Sequence, residues 1–311
     1  MLAYALKRIF MAVPVLIGIS LLSFILGVLL PGDPAEFALN QNGLDAPTEE
    51  QIAAMRAELG LDRTAYVQYA AWMLQVLRGD FGASYINGKD ILQELLLRLP
   101  VTMELAGLAL LLAAAVGISL GLVCAVYRSS WLDNAVQFLT NIMLAVPGFW
   151  LALLMILLFG EILRLLPTSG GDGLQSFILP ALAVAFSTMA TVCRFMRSSL
   201  LKEFGQQYFI IAKARGISSV NLLLKYALPN AILPVIALLG NYLASVMGGS
   251  VIAESIFALP GISSMALEAI RYRDYPVLQA YVLLTGWLLV LITLGVDLLM
   301  FYLNPKIKTG A

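Results

Sequence analysis

Three carboxylic acids, Glu104, Glu254 and Asp297, lie within or at the ends of long apolar runs of this chain. A carboxylate at membrane depth is costly, so each of the three is a candidate for relaying protons or ions. A carboxylate near the end of a membrane span can instead reach water or bond neighbouring polar groups. We favour this second interpretation, because each of the three lies near the end of its run.

Other chemistry is limited by the residues that the chain lacks. Histidine is absent, which excludes His-based acid–base catalysis and His-ligated zinc or nickel. No GxxxxGK(S/T) phosphate-binding loop occurs, and Gly88-Lys89 is followed by Asp90 instead of Ser or Thr. The two cysteines, Cys124 and Cys193, lie inside apolar runs and are interpreted as small buried hydrophobic residues. The sequence therefore predicts no catalytic site, no bound metal and no cofactor in this chain.

The composition is that of a membrane protein. The chain has 311 residues, of which 60% are hydrophobic and only 12% are charged, and its mean hydropathy is +0.89. A soluble domain carries about 25% charged residues. The formal net charge is zero, so no basic field suggests a nucleic-acid partner. We expect an all-α integral membrane protein in contact with membrane lipid.

Six apolar runs are long enough to be membrane spans, since about 20 apolar residues cross the hydrocarbon core. They are Ile9–Leu30, Leu105–Tyr127, Ala135–Gly160, Ser176–Cys193, Ala231–Ala253, and Val277–Val296 with an apolar extension to Leu303. The first run exceeds the ~7–15 residues of a signal peptide, and no small-x-small cleavage site directly follows it. We therefore interpret it as a span. Arg194 and Arg197 can reach an interface and let the fourth helix continue past Cys193.

Basic residues near the span ends predict that both termini are cytoplasmic. Most of them fall on one side when the N-terminus is placed inside: Lys7, Arg8, Arg128, Arg194, Arg197, Lys202, Lys213, Arg215, Lys225, Lys306 and Lys308. The two short outer loops hold only Arg164, Arg271 and Arg273. The predicted division is a cytoplasmic N-terminus with the first span in residues 1–30, an extracytoplasmic subdomain in residues 31–99, and a region of five spans in residues 100–311.

The residues outside the spans also have helical patterns. In the predicted subdomain, Thr48-x-x-Gln51 is a capping box that begins a helix to Leu59, and Tyr66, Tyr69, Met73 and Leu77 share one helical face. We expect this subdomain to lie against the outer membrane surface. In the last outer connection, Leu259-Pro260-Gly261 predicts a turn, and Ser263 to Ile270 predicts a short helix.

Residues 200–230 predict a helical hairpin on the cytoplasmic side. Its first half places Phe204, Tyr208, Ile211, Ala212 and Arg215 on one helical face, and its second half does so with Val220, Leu223, Leu224 and Ala227. Gly216 separates the halves, because glycine adopts the positive φ that ends a helix. Ser218 or Ser219 is expected to cap the second helix with its side chain.

Small residues are concentrated between Gly240 and Gly249, in GNYLASVMGG. Such residues allow helices to pack closely, or allow a translocation pathway to pass alongside. Both interpretations stay open. The candidate pathway residues are Asn241, Ser245, Met247 and Gly248, together with Glu254.

The hairpin resembles the cytoplasmic EAA loop of importer permeases of the ATP-binding cassette class. Ala212 falls on the last Ala of the triplet, Gly216 on the Gly and Leu228-Pro229 on the Leu-Pro. The chain departs from the motif at Ile210 for Glu, Ile211 for Ala and Tyr226 for Ile. These departures leave the turn and its spacing intact but remove the glutamate of the motif.

A more specific resemblance, to the dipeptide-permease B-like branch of the peptide and nickel subfamily, covers nearly the whole chain. It is carried by LLPGDPAEF (Leu29 to Phe37), LGLDRTAYVQYAAWMLQVLRGDFGASY (Leu59 to Tyr85) and GGSVIAESIFALPGISSMALEAIRYRDYPVLQA (Gly248 to Ala280). It implies a bacterial inner-membrane permease that imports dipeptides, oligopeptides, nickel or a metal chelate by alternating access. It also implies that the ATPase-coupling residues are Tyr208, Ala212, Arg215, Gly216, Val220, Leu223, Leu224, Leu228 and Pro229.

The partners implied by the resemblance are a homologous second permease, two cytoplasmic ATPases that bind ATP and magnesium, and an extracytoplasmic solute-binding protein. Two other functions stay open. A proton-coupled secondary transporter would use Glu104, Glu254 and Asp297 as relays and would need no partner. A membrane scaffold would assemble with its partners but move no solute.

Overall fold

The computed structural model describes residues 2–29, 33–41, 47–170 and 173–303. Its α-helices are α1 (Leu2–Leu29), α2 (Pro34–Gln41), α3 (Glu49–Glu58), α4 (Ala65–Leu77), α5 (Ile91–Val126), α6 (Trp131–Ala145), α7 (Gly148–Met155), α8 (Gln175–Phe204), α9 (Gln207–Ala214), α10 (Ser219–Asn221), α11 (Leu228–Gly249), α12 (Val251–Ile256), α13 (Ile262–Tyr272) and α14 (Tyr275–Leu303). Two π-helical segments occupy Ile156–Ile162 and Leu222–Ala227. No β-strand occurs in the ranges that are described, so the predicted all-α class is confirmed for them.

Five helical runs are long and apolar enough to cross a membrane, namely Arg8–Val28, Ile91–Val126, Gln175–Phe204, Ser219–Gly249 and Tyr275–Leu303. A sixth span requires Trp131–Ala145 and Gly148–Ile162 to be counted together, although they bend by 99° at their junction. The predicted third span, Ala135–Gly160, is therefore broken at Val146 and Pro147. The six-span topology as a whole stays a prediction.

The break in the third span has a local cause. Val146 is extended, with φ −79° and ψ 123°, because a residue before proline is driven out of the helical region. Pro147 then begins the next helix as its N-cap residue and supplies no N–H to the preceding one.

The other spans differ from prediction mainly at their ends. The fourth continues through Arg194 and Arg197 to Phe204, as expected. The fifth begins in the hairpin at Ser219 instead of at Ala231, and a break at Ser250 separates α11 from α12. Several residues used in the predictions lie outside the described residues: Leu30, Pro31, Gly32, Lys306, Lys308 and the side chain of Lys7.

One compact unit of the fold comprises Met1–Ala5, Met103–Leu259 and Leu291–Ala311. Within it, α8 contacts α6, α7, α9, α11 and α12. Its buried core joins α5, α8 and α11 through residues that include Ala125, Met196 and Ala231. Gly121 of α5 lies so close to α8 that a Cβ added there would be 2.6 Å from the carbonyl oxygen of Cys193. The backbones of α5 and α8 are thus in contact, as small residues permit.

The second unit comprises Leu6–Thr102 and Pro260–Val290. The predicted capping box at Thr48 and Gln51 is confirmed. α4 packs on α1, where the rings of Phe24 and Tyr69 are 5.5 Å apart and the Tyr69 hydroxyl is 2.7 Å from Ser20 Oγ. Tyr66 and Leu77, from the same predicted face of α4, are 74% and 68% exposed.

The outer connection forms the helix that the sequence predicted at Ser263 to Ile270, here Ile262–Tyr272. This helix packs against the start of α5 through Ile91, Leu95 and Met265. The segment between α4 and α5 is joined to the corner between α13 and α14 by a hydrogen bond that the Ser84 hydroxyl donates to Asp274. The division of the chain at residues 30 and 99 stays a prediction.

Candidate functional site

The turn of the candidate coupling hairpin is a Schellman motif centred on Gly216. Gly216 has φ +78°, and its N–H donates to the Lys213 carbonyl at 3.0 Å. The N–H of Ile217 donates to the Ala212 carbonyl at 3.4 Å. These two hydrogen bonds and the positive φ define the motif. The prediction that Gly216 ends the first helix through a positive φ is confirmed.

The predicted serine cap is not present. Ser218 is the N-cap residue of α10, but neither its side chain nor that of Ser219 makes a capping hydrogen bond. The Ser218 backbone carbonyl accepts from Leu222 N at 2.9 Å. Both serines are exposed, so water can satisfy the free N–H groups of this first turn.

The helical face predicted for the second half of the hairpin is also wrong. The segment Leu222–Ala227 is π-helical, and it buries Leu222 and Ala227. Val220 is 65% exposed and Leu224 is 51% exposed. A π-helix bonds residues five apart, so Leu222 and Ala227 align inward, whereas the prediction assumed α-helical spacing. Leu223 is half-buried against the core, so the four residues predicted to share one face do not do so.

A polar contact across the hairpin holds α9 to the start of α11. The Tyr208 hydroxyl donates to Glu203, and Asn230 Nδ2 lies 3.4 Å from the same hydroxyl. Asn230 also donates to the Tyr226 carbonyl at 2.9 Å. Burial and the Glu203 hydrogen bond raise the pKa of Tyr208 to about 12. The sequence singled out Tyr208 but not Glu203 or Asn230, which flank the apolar pattern on which the prediction relied.

The remaining predicted coupling residues divide into buried and exposed ones. Ala212 is buried and Leu228 is half-buried, whereas Arg215 and Pro229 are exposed. Ile210 and Ile211, the residues that replace the Glu and Ala of the triplet, are 57% and 54% exposed. The hairpin therefore presents apolar side chains to its surroundings beside the exposed cations Lys213, Arg215 and Lys225.

A buried ion pair joins α8 to the start of α6. Arg197 Nε and Nη2 each lie 2.7 Å from one carboxylate oxygen of Asp133, whose side chain is 2% exposed. Ser129 N also donates to Asp133 at 2.9 Å. The bidentate geometry is the strong form of an arginine–carboxylate contact. The sequence predicted that Arg197 reaches an interface and missed Asp133, although Ser130-x-x-Asp133 is a recognisable helix start.

The candidate pathway contains a cavity of about 410 Å³. Its walls come from α7, α8, α11 and α12, and they carry five hydroxyl groups and no charged side chain among the described residues: Ser187, Thr188, Tyr242, Ser245 and Ser250. The Tyr242 hydroxyl is buried; Thr188 is near it, but no hydrogen bond of ordinary geometry is made with any described residue.

The structure places the predicted pathway residues differently. Ser245 lines the cavity. Glu254 is fully buried and accepts a hydrogen bond from Ser250 Oγ at 2.7 Å. Met247 is buried, whereas Asn241 and Gly248 are exposed, and none of these three lines the cavity. Their role in a pathway stays a prediction.

The other candidates for chemistry are not brought together. Glu104 is exposed and Asp297 is half-buried. The hydrogen bond between Glu254 and Ser250 agrees with the interpretation of this acid as bonded to a polar neighbour. Cys124 and Cys193 are buried and not joined by a disulfide. Among the residues searched, no group of three or more Cys, Asp or Glu could hold a metal ion.

Similarity to known proteins extends over the whole chain. Residues 117–309 match the family described as the inner membrane component of binding-protein-dependent transport systems, and residues 1–106 match the N-terminal region of such components. The chain is 34% identical over 336 residues to a dipeptide transport system permease of Alkalihalophilus pseudofirmus, covering 99% of this chain and 100% of that protein. It is 35% identical over 308 residues to a glutathione transport system permease of Salmonella choleraesuis, with 99% of each chain covered.

The fold is similar to that of a solved inward-facing methionine ABC transporter. The TM-score is 0.56 at 18% identity, covering 68% of this chain and 96% of that one. The family match includes the hairpin with Gly216 and the helix that follows it. The chain therefore belongs to the family of inner-membrane permease components of binding-protein-dependent transport systems, as its resemblance to dipeptide permeases of the ATP-binding cassette class indicated.

Proposed function

We propose that this chain is the permease subunit of an ATP-driven importer of short peptides. The observation that carries the proposal is the full-length similarity to proteins named as dipeptide and glutathione permeases. The subunit lies in a bacterial inner membrane, with six spans and both termini in the cytoplasm. It pairs with a homologous permease, and the pair binds two cytoplasmic ATPases and an extracytoplasmic solute-binding protein.

The hairpin is the proposed docking site for an ATPase. Ile210, Val220 and Leu224 are exposed apolar side chains, and such side chains beside positive charges suit a protein interface. Arg215 lies in the same turn as Gly216. ATP and Mg²⁺ bind in the ATPases, which supply the energy that this chain does not generate.

Movement of the hairpin reaches the cavity along a single helical run. The helix that begins at Ser219 continues to Gly249 and carries Tyr242 and Ser245 in the cavity wall. The 24 residues from Ser219 to Tyr242 span about 35 Å at about 1.5 Å per residue. A displacement at the ATPase end is therefore transmitted to the cavity without an intervening loop.

The proposed mechanism is alternating access. Closure of the two ATPases on ATP pulls the hairpins together and rotates the spans as rigid bodies, which opens the central cavity outward. Hydrolysis reverses the movement. A loaded binding protein favours the outward state if it binds that state more tightly than the other.

Peptides are the proposed substrate in preference to nickel or a metal chelate. The relatives described above are named as permeases for dipeptides and for glutathione. The hydroxyl groups in the cavity wall can donate hydrogen bonds to peptide amides and accept hydrogen bonds from them. A proton-coupled transporter is less favoured. The family match implies ATP-driven partners, and Glu254 accepts a hydrogen bond from Ser250, as expected of an acid held by a polar neighbour.

The test is uptake by the purified complex in proteoliposomes. Affinity purification in mild detergent should recover a second permease and two ATPases with this chain. Uptake of a labelled peptide such as alanyl-phenylalanine should require ATP and the binding protein and should continue when an uncoupler removes the proton gradient. Uptake that stops with the uncoupler, or that proceeds equally with ADP, would reject the proposal in favour of a secondary transporter. A correctly assembled complex that moves no solute would favour a scaffold.

A further inference from the structure

A second cavity, of about 520 Å³, lies within the unit formed by Leu6–Thr102 and Pro260–Val290. It is bounded by the end of α1, by α4 and the turn before it, and by the start of α14. Small ligands occupy cavities of about 300–1,000 Å³. This second cavity shares no lining residue with the hairpin or with the 410 Å³ cavity that contains Tyr242 and Ser245, called here the hydroxyl-lined cavity.

Charges of both signs face this cavity. Asp33 is paired with Arg56, whose Nε lies 2.8 Å from Asp33 Oδ2. Asp33 Oδ1 also accepts from Ala35 N at 3.1 Å. A carboxylate has about four acceptor positions, so these two contacts leave room for an ammonium donor. Arg63 also lines the cavity, and within the described part of the chain its guanidinium forms no ion pair.

The turn that carries Arg63 is held in place. Gln68 Nε2 donates to the Leu61 and Arg63 carbonyls, both at 2.8 Å. Gly60 has φ +69°, and a Cβ added there would lie 3.5 Å from Arg63 Nε. The guanidinium thus lies beside the Gly60 backbone at the cavity edge. Because Gln68 Nε2 already donates two hydrogen bonds, the side chain can bind a ligand only by accepting a hydrogen bond at its carbonyl oxygen.

Amide and aromatic groups form another part of the wall, beside aliphatic residues such as Leu59 and Leu61. Gln75 and Gln279 supply further carboxamides, and Trp72, Tyr85 and Tyr275 supply aromatic surface. Burial, with Asp274 and Asp33 nearby, raises the pKa of Tyr85 to about 12. Its phenol therefore stays protonated at physiological pH. Carboxamides suit peptide amides, and aromatic rings suit apolar side chains.

We propose that this cavity binds short zwitterionic peptides, with the peptide carboxylate on Arg63 and its ammonium group on Asp33. A planar guanidinium matches a carboxylate in a two-point contact. The carboxamides favour a peptide over a phospholipid headgroup, which has a phosphate and an amine but no chain of amides. The site thus serves as a holding site for imported peptide, and this inference rests on the proposed import of peptides.

The test is peptide binding to the complete complex in lipid nanodiscs, without nucleotide and without the binding protein. The probe is tritiated alanyl-phenylalanine, measured by equilibrium dialysis. Arg63→Ala should raise the Kd at least about tenfold, since a charge-assisted hydrogen bond is lost. Arg63→Lys should give an intermediate Kd because it keeps the charge. Arg78→Ala, an exposed arginine at the end of α4, is the matched control and should bind as the parent does.

Uptake supplies a second measurement. Arg63→Ala should raise the KM for uptake about tenfold and leave the maximal rate unchanged. The variant loses the contact between Arg63 and the peptide carboxylate but does not alter the translocation pathway. Blocking either peptide terminus, by N-acetylation or C-amidation, should weaken binding to the parent complex.

Several results would overturn the inference. Equal Kd values for the parent and Arg63→Ala would show that peptide binds elsewhere. A parent complex that binds no peptide, but loses a co-purified phospholipid on Arg63→Ala, would identify a lipid site. Failure of the proposed function is distinct, because it would appear as parent uptake that does not require ATP.

Discussion

Replacing Gly216 by valine tests whether the hairpin couples ATP hydrolysis to transport. Gly216 has φ +78°, and a Cβ added there would meet nothing within 4 Å. The cost of the substitution therefore comes from backbone strain and not from a clash. A residue with a side chain in the left-handed region costs about 1–2 kcal/mol, and a β-branched residue is among the least tolerated there.

A strain of about 1–2 kcal/mol changes an equilibrium about 5–30-fold. The ratio of the native turn to alternative turns should fall by this factor, so peptide uptake per ATP hydrolysed should fall, by at most about the same factor. The protein should still reach the membrane at normal abundance, because the strain is confined to an exposed turn. Uptake and phosphate release, both measured in the same proteoliposomes, give the ratio directly.

Two further variants separate coupling from general strain. Gly216→Asn should lose less, because asparagine is tolerated in the left-handed region. Gly82→Val is the matched control, since Gly82 has φ +79° and equally open surroundings but lies far along the chain from the hairpin. Normal uptake per ATP in Gly216→Val at normal abundance would refute the coupling role. An equal loss in Gly82→Val would show that the effect is not specific to the hairpin.

Three other outcomes follow from the described contacts. Asp133→Asn should lower the free energy of unfolding of the purified protein by less than the about 3–5 kcal/mol of a fully buried pair, because the Arg197 side chain is 25% exposed. Arg194→Ala, which loses only a 3.3 Å contact to Asn141, should change it little. The pKa of Tyr208 is raised from 10.0 to about 12, so the stabilisation of the hairpin by Tyr208 is complete below pH 10 and is lost as the pH rises towards 12. Limited proteolysis of the hairpin should show this loss. The Tyr208→Phe variant should not show this pH dependence. Tyr242→Phe should leave thermal stability unchanged, because the hydroxyl makes no hydrogen bond of ordinary geometry, but should lower the maximal rate of peptide uptake if that group contacts the substrate.

The features that could be predicted from the sequence depend on residues close together in the chain. The positive φ of Gly216 and the capping box at Thr48 require only the neighbouring residues. The apolar runs similarly predicted most of the long helices. Pro147 is a local signal for the break in the third span, but the 99° angle is not encoded locally, because the angle depends on how the two halves pack.

The features that were missed depend on residues far apart in the chain or on helix type. Arg197 and Asp133 are 64 residues apart, and no local pattern pairs them. The π-helical segment at Leu222 shifted the buried face of the hairpin, since apolar periodicity was counted at α-helical spacing. The hydroxyl-lined cavity draws on four helices, so the sequence anticipated only the wall residues within the GNYLASVMGG stretch, among which Ser245 was the named candidate.

The glycine contacts between α5 and α8 restrict how the protein can move. A Cβ at Gly117 would lie 2.6 Å from Val192 Cβ, and one at Gly121 would lie 2.6 Å from the Cys193 carbonyl oxygen. Backbones that touch at successive turns are interlocked, so a shear of one helix along the other would drive neighbouring side chains into each other. These two helices must then travel as one body during a transport cycle. Relative movement is left to parts of the chain that lack such close backbone contacts.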